Sequence, residues 1–330
     1  MKRRLLAVLM VAILLIPMLS GCKKETGLTK ITLNEVAHSV FYAPQYVALE
    51  LGYFKDEGLD VELVTGFGAD KTMTAVLSGD ADIGFMGSEA SIYVYNEGAE
   101  DYVVNFAQLT QRAGNFLVSR DTNEDFKWEN LKGKTVIGGR AGGMPQMVLE
   151  YILKKKNFDI KKDLTIIQNI DFGVTGEAFT SGTGDYTVEF EPTATAIEKS
   201  GKGKVVASLG IESGMVPYTS YAAKKSYIEK NGDIIQKFTN AIQKGIEYVN
   251  KHTPEEITKV IAPQFPEMDQ KDLVIIVTRY YDQQTWKENA VFEEESLTLL
   301  LNIIEEAGEI SKRPPYEEII TTKFAKEAVK

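Results

Sequence analysis

The chain has 330 residues, with 37 basic and 47 acidic side chains, a formal net charge of −10 at pH 7, one cysteine and two histidines. The acidic balance argues against nucleic-acid binding and against electrostatic adhesion to anionic lipid. A lone cysteine excludes an intrachain disulfide and a cysteine metal cluster, and the length suits two lobes better than one core.

Lys2, Arg3 and Arg4 precede an apolar run from Leu5 to Leu19, interrupted only by Pro17, which ends in Leu19-Ser20-Gly21-Cys22. A basic start, a short apolar run and small residues before a cut mark residues 1–21 as a secretory signal. The run falls short of the roughly 20 residues a membrane-spanning helix needs. Without the three basic residues the balance is 34 to 47, a formal −13. Residues 22–30 are polar, contain Gly27 and read as a flexible tether.

Ile31 to Val36 reads as the first strand, His38 to Ala43 as a loop, and Pro44 as the first residue of a helix reaching about Glu57. Gly58 ends that helix, and Leu59 to Val64 alternates as a strand does. Met73, Val76 and Leu77 share one helix face before Gly79; Ala81 to Met86 is a third strand, and Ser88 opens another helix. Strand and helix in alternation predict an α/β layer with a largely parallel sheet.

The pattern restarts after Gly114. Thr135 to Ile137, Leu164 to Ile170, Tyr186 to Phe190 and Val205 to Leu209 read as strands. A glycine-rich turn and a helix with Val148, Leu149, Ile152 and Leu153 inward follow the first of them. From Asp233 onward the chain is helical: Ile235, Phe238, Ile242, Ile246 and Val249 make an apolar stripe, and Thr253-Pro254-Glu255-Glu256 is a capping box. Two further helices are expected around Lys271–Tyr281 and Glu294–Ala307.

Four segments carry a family resemblance. Ala48 to Val61 (ALELGYFKDEGLDV), Leu77 to Gly84 (LSGDADIG), Leu131 to Gly138 (LKGKTVIG) and Phe190-Glu191-Pro192 stand in order across the chain. They resemble the corresponding segments of the nitrate, sulfonate, taurine and thiamine-precursor binding proteins, the NMT1/THI5-like and SsuA-like substrate-binding lipoproteins of ABC transporters. Leu19-Ser20-Gly21-Cys22 likewise resembles a bacterial lipobox, in which Cys22 carries lipid; a plain signal peptide or an N-terminal anchor helix is the alternative. The resemblance implies a bilobed α/β fold of the periplasmic-binding-protein type II. Residues 31–112 and 220–330 form lobe 1, residues 113–219 form lobe 2, and the crossings lie near 112–115 and 216–220. It also implies a monomer that meets a permease and an ATPase outside the cytoplasm, held there by lipid on Cys22.

In such a fold the ligand sits between lobes, against strand carboxyl ends and helix N-termini. His38, Ser39, Phe41 and Tyr42 follow the first strand; one of the two aromatics is equally suited to the core under the helix. Gly87, Ser88 and Glu89 form a strand-to-helix turn in which Ser88 suits a helix cap. Arg140, Gly142 and Gly143 lie in the glycine-rich turn, which also reads as an ordinary flexible loop. Glu191 is aimed by Pro192 and suits a ligand amine, amidine or ring N–H, whereas Glu189 reads as a surface residue. Asp171, Phe172 and Tyr218 complete the set, with Arg112 and Arg140 the candidates for gripping an anion. Trp286 reads as packing.

Acidic and aromatic candidates outnumber the arginines, which favours a nitrogenous, heteroaromatic ligand such as a thiamine-pyrimidine precursor over nitrate, taurine or an alkylsulfonate. No cofactor and no metal site is expected, since no metal-ligand spacing or nucleophile motif appears. The related pyrimidine synthases consume their own histidine, which aligns with Tyr42 here and not His38, and their cysteine-rich motif is missing. Binding therefore ranks above catalysis, and a sensor or adhesin without a transporter is the remaining class.

Overall fold

The computed structural model describes residues 27–330; the leader, the lipobox and Cys22 lie outside the described residues. Two five-stranded sheets form the framework. The first holds β1 (Thr29–Glu35), β2 (Leu59–Thr65), β3 (Ile83–Gly87), β4 (Val103–Thr110) and, from far along the chain, β10 (Thr219–Lys224). The second holds β5 (Asn115–Ser119), β6 (Thr135–Ile137), β7 (Thr165–Ile167), β8 (Tyr186–Phe190) and β9 (Lys204–Ser208). Their orders are β2-β1-β3-β10-β4 and β7-β6-β8-β5-β9. This bilobed arrangement of two mixed α/β sheets has the periplasmic-binding-protein type II form.

The sheets are mixed, where the strand–helix alternation suggested a largely parallel layer. β10 runs antiparallel to β3 and β4, and β5 antiparallel to β8 and β9. The cause is that the chain leaves the first sheet after Thr110 and comes back to it at Thr219, so two strands arrive from the opposite lobe. Residues 111–114 and 214–218 are the two connections.

β2 is an edge strand whose exposure alternates, so Leu59 is buried while Asp60 faces water. β3, β4 and β5 are buried at every position, which is the state of a strand covered on both faces. The expected helix from Pro44 to Glu57 is two pieces, Ala43–Glu50 and Tyr53–Asp56, because Gly52 adopts a left-handed φ of 76° between them. The expected loop before it contains a one-turn 3-10 helix, Val40–Tyr42, in which the Ser39 hydroxyl accepts from the Phe41 amide. Leu77, placed on the inner face with Met73 and Val76, is 38% exposed.

The helix Gly232–Lys251 buries Ile235, Phe238, Ile242, Ile246 and Val249 completely. Each such side chain contributes roughly 1.5–3 kcal/mol by leaving water. It packs on Ala43–Glu50 at a separation that only glycine permits, since a Cβ on Gly245 would stand 2.2 Å from the Pro44 carbonyl oxygen. Helix Gln270–Asp282 packs against the Val40–Tyr42 turn, while Glu294–Glu306 lies on Met144–Lys155 of the second lobe. The C-terminal helices thus brace both lobes, whereas the resemblance places them with the first. Among the described residues no helix is long and apolar enough to cross a membrane.

Candidate functional site

A cavity of about 410 Å³ lies between the sheets. It is walled by the carboxyl ends of β1, β2 and β3 from one side and by β8 and three helix N-termini, at Met144, Thr175 and Thr193, from the other. His38, Ser39, Tyr42, Gly87, Glu89, Arg140, Gly143, Glu191 and Tyr218 all line it. Residues more than a hundred positions apart are brought together here because both connections place strand ends opposite one another.

Two carboxyl groups define its electrostatics. Glu89 follows β3 in the first lobe and is 3% exposed; its Oε2 has no hydrogen-bond partner among the described residues. Gly87 makes room for it, since a Cβ there would sit 2.1 Å from Oε2. Burial pushes the Glu89 carboxyl up to about 7, against the pull of its own backbone amide, the Arg140 guanidinium and the Met144 amide. Met144 is the first residue of the helix Met144–Lys155 in the second lobe, so a protein carboxylate already faces that helix N-terminus.

Glu189 is the second. It is 4% exposed, not on the surface as its sequence context suggested, because β8 turns it inward. Oε2 accepts from the Thr175 hydroxyl at 3.0 Å and Oε1 from Thr187 at 2.6 Å. Burial raises this carboxyl too, to about 7, with the two threonine hydroxyls pulling it down.

The remaining polar groups are largely committed. His38 meets Glu35 Oε1 through Nδ1 and the Gln264 carbonyl through Nε2, both at 2.8 Å. With an acceptor at each nitrogen the ring favours the imidazolium, and its pKa is raised chiefly by the Glu35 hydrogen bond, against burial. Ser39 Oγ donates to the Glu191 carbonyl at 2.8 Å, tying the lobes together. The Tyr218 hydroxyl donates to Asn115 Oδ1 at 2.6 Å, which leaves the buried Asn115 Nδ2 without a partner among the described residues. Arg140 is largely exposed, 4.0 Å from Asp70 across the cleft.

Several expected contacts are redirected. Phe41 is fully buried within 5.2–5.7 Å of the Tyr42, Phe190, Tyr218 and Tyr280 rings; it is the core aromatic, and Tyr42 faces the cavity. Ser88 makes no capping bond; its Oγ pairs with Ser220 Oγ at 3.0 Å in the sheet. Arg112 donates to the Gly210 carbonyl at 3.1 Å and serves the connection between lobes, not an anion. Gly142 is buried behind the lining, where its carbonyl accepts from the Tyr93 hydroxyl. Asp171 is exposed at the start of the Phe172–Val174 turn and outside the lining; the Phe172 side chain lies outside the described residues.

Glu191 lines the cavity, but its carboxylate looks away from a ligand. Both oxygens accept from Thr195, through N and Oγ1, and the Arg279 guanidinium pairs with it. The Glu191–Pro192 peptide is cis. Trp286 packs as expected and donates Nε1–H to the Phe41 carbonyl. Asn115, Phe67 and the Thr175-Gly176 helix start also line the site and had no sequence motif. For Phe67 a signal existed: Gly66-Phe67-Gly68 follows the carboxyl end of a parallel strand, and the ring is 62% exposed.

A Bacillus subtilis protein named "Putative binding protein YtlA" is 48% identical over 93% of this chain and 92% of its own. The "Formylaminopyrimidine-binding protein" of Halalkalibacterium halodurans is 24% identical over 84% of this chain and 89% of its own. Among solved structures, a ligand-binding component of an ABC-type import system from Staphylococcus aureus superposes with a TM-score of 0.73, covering 91% of this chain and 99% of that one at 15% identity. The family model described as "NMT1/THI5 like" matches residues 40–257, and with the Bacillus relative it shows that this chain belongs to the NMT1/THI5-like family.

Proposed function

We propose that the protein is the substrate-binding component of an ABC importer. It captures a flat, nitrogenous nutrient between its lobes and presents it to a permease. The observation that carries the ligand class is the pair of buried carboxyls, Glu89 and Glu189, facing one aromatic-walled cavity. Carboxylates accept from an amine, an amidine or a ring N–H, and Tyr42 and Phe67 offer faces to a flat ring. A thiamine-pyrimidine precursor fits this description, and the formylaminopyrimidine-binding relative supports it.

Oxyanions fit less well. The helix N-terminus at Met144 already faces Glu89, and a nitrate or sulfonate placed there would meet a buried carboxylate. Arg140 alone offers an exposed guanidinium, whereas both His38 nitrogens are engaged. Binding, not turnover, is supported by those same engaged nitrogens and by Tyr42 at the position where the synthases carry histidine. Hinge closure is the mechanism: contacts such as Ser39 to Glu191 and Arg279 to Glu191 form across lobes, so a ligand that bridges them favours the closed state. Lobe boundaries at 31–112 with 220–330, and 113–219, are supported by the connections at 111–114 and 214–218.

The protein acts outside the cytoplasm, tethered by lipid on Cys22, as a monomer. Fractionation tests this part: Cys22→Ala moves the protein from membrane to soluble fraction with ligand affinity unchanged. Retention of the Cys22→Ala protein in the membrane would remove the lipid anchor from the account. The ligand class is tested by a thermal-shift screen over aminopyrimidines, nucleobases, taurine, alkylsulfonates and nitrate.

A further inference from the structure

A second cavity, of about 400 Å³, lies at the hinge, away from the cleft. Gln111 from the first connection and Met215 from the second both line it, with Asn250, Trp286, Lys287 and the carboxylate-bearing Glu288. The segment after helix Gln270–Asp282 is laid along the end of β4. The Gln111 amide donates to the Thr285 carbonyl at 2.8 Å, and the Lys287 amide to Leu109 at 3.1 Å. Gln111 Nε2 and Asn250 Nδ2 add bonds to the carbonyls of Trp286 and Lys287. The wall is therefore a built surface, anchored to the strand that leads into the hinge.

Lys287 is only 9% exposed, yet among the described residues its ammonium has neither an ion pair nor a hydrogen bond. Burial holds its pKa below the ordinary lysine range, and the Glu293 and Glu288 carboxylates act on it only through space. The stem is buried while the ammonium tip still meets solvent, so it is partly desolvated with no protein acceptor, and an anion in the adjoining cavity offsets that cost. We propose that this hinge cavity is a second binding site, for a small oxyanion (a carboxylate or a phosphate) held by the Lys287 ammonium.

Both connections line this cavity, so the affinity of an anion held in it differs between the open and closed arrangements and couples to capture in the cleft. Trp286 supplies the physical link. It lines the hinge cavity and its Nε1–H holds the Phe41 carbonyl at 2.9 Å, one residue from Tyr42 in the main site.

Trp286 is also the probe. The chain has two tryptophans, so Trp128→Phe leaves Trp286 as the sole tryptophan, read selectively by excitation beyond the tyrosine absorption band. Inorganic phosphate and, separately, acetate are titrated into this protein at constant ionic strength, with chloride as the balancing anion. A saturable change in emission with one of them is expected and identifies the oxyanion class. Lys287→Met weakens it by roughly tenfold or more, as loss of a charge-assisted hydrogen bond does, and Lys287→Arg largely retains it. The Lys287→Arg protein keeps the comparison valid if Lys287→Met folds poorly. No saturable response to either anion, or one that Lys287→Met and Lys287→Arg leave alike, overturns the proposal.

Discussion

Replacing Glu89 by glutamine tests the electrostatic reading of the cleft through stability alone. In the unfolded chain this carboxyl titrates near 4.5; in the folded protein burial moves it to about 7. Below pH 4.5 both states are protonated and burial carries no charge penalty. Between 4.5 and 7 the folded state holds a proton that the unfolded state has lost, so stability falls as pH rises; above 7 the loss levels off. A shift of that size corresponds to on the order of 3 kcal/mol of destabilisation at pH 8. Glu89→Gln keeps the shape and removes the ionisation, so it stabilises the ligand-free protein at pH 8 by about 2–3 kcal/mol, less whatever the amide fails to satisfy. At pH 5, where the unfolded carboxyl is only partly ionised, the gain shrinks to below about 1 kcal/mol. Denaturant unfolding at the two pH values reads both numbers. A Glu89→Gln protein less stable than the parent at pH 8, or equally stabilised at pH 5, would refute the assignment of Glu89 as a buried, charge-strained carboxyl.

Three further outcomes follow from the same geometry. Affinity for a nitrogenous ligand falls as pH drops from 8 to 6, by about tenfold for each of Glu89 and Glu189 that must be ionised; calorimetry showing pH-independent affinity would detach both carboxyls from recognition. Arg279→Met removes the guanidinium that pairs with Glu191 and Glu198, leaving the fully buried Glu191 carboxylate to Thr195 alone. Loss of one partner of a buried pair costs about 3 kcal/mol, seen as a lowered unfolding midpoint, and an unchanged midpoint would show the pair to be idle. Cys22→Ala releases the protein from membranes and leaves affinity intact.

Much of the framework was readable from local pattern. β1, β2, β6 and β8 announce themselves through alternation or apolar runs bounded by glycine, and the 232–251 helix through its stripe. β4 and β5 do not, because every position is buried and no polar face marks them. β10 pairs with strands laid down more than a hundred residues earlier, and its antiparallel direction is a consequence of the chain's return.

The site divides the same way. Strand ends and helix starts can be located in a sequence, so His38, Tyr42, Gly87, Glu89, Arg140 and Tyr218 were identifiable as cleft candidates, and the cavity lining includes them. What a side chain does there is decided by distant partners. The sequence context of Glu191 suits a ligand acceptor, yet Arg279, 88 residues on, takes its carboxylate. Glu189 looked like a surface residue until the pairing of β8 with β5 turned it inward. Phe41 and Tyr42 are adjacent and alike in sequence, and only the packing of Tyr280 and Phe190 shows that Phe41 belongs to the core.

The measurement that bears most directly on the central claim is direct titration of the purified protein at pH 8 by calorimetry. An aminopyrimidine is compared with nitrate, taurine and an alkylsulfonate, each in the parent and in Glu189→Gln. The account predicts that the aminopyrimidine binds, that Glu189→Gln weakens it by at least about tenfold, and that the oxyanions bind negligibly. Tight binding confined to an oxyanion, undiminished in Glu189→Gln, would contradict it.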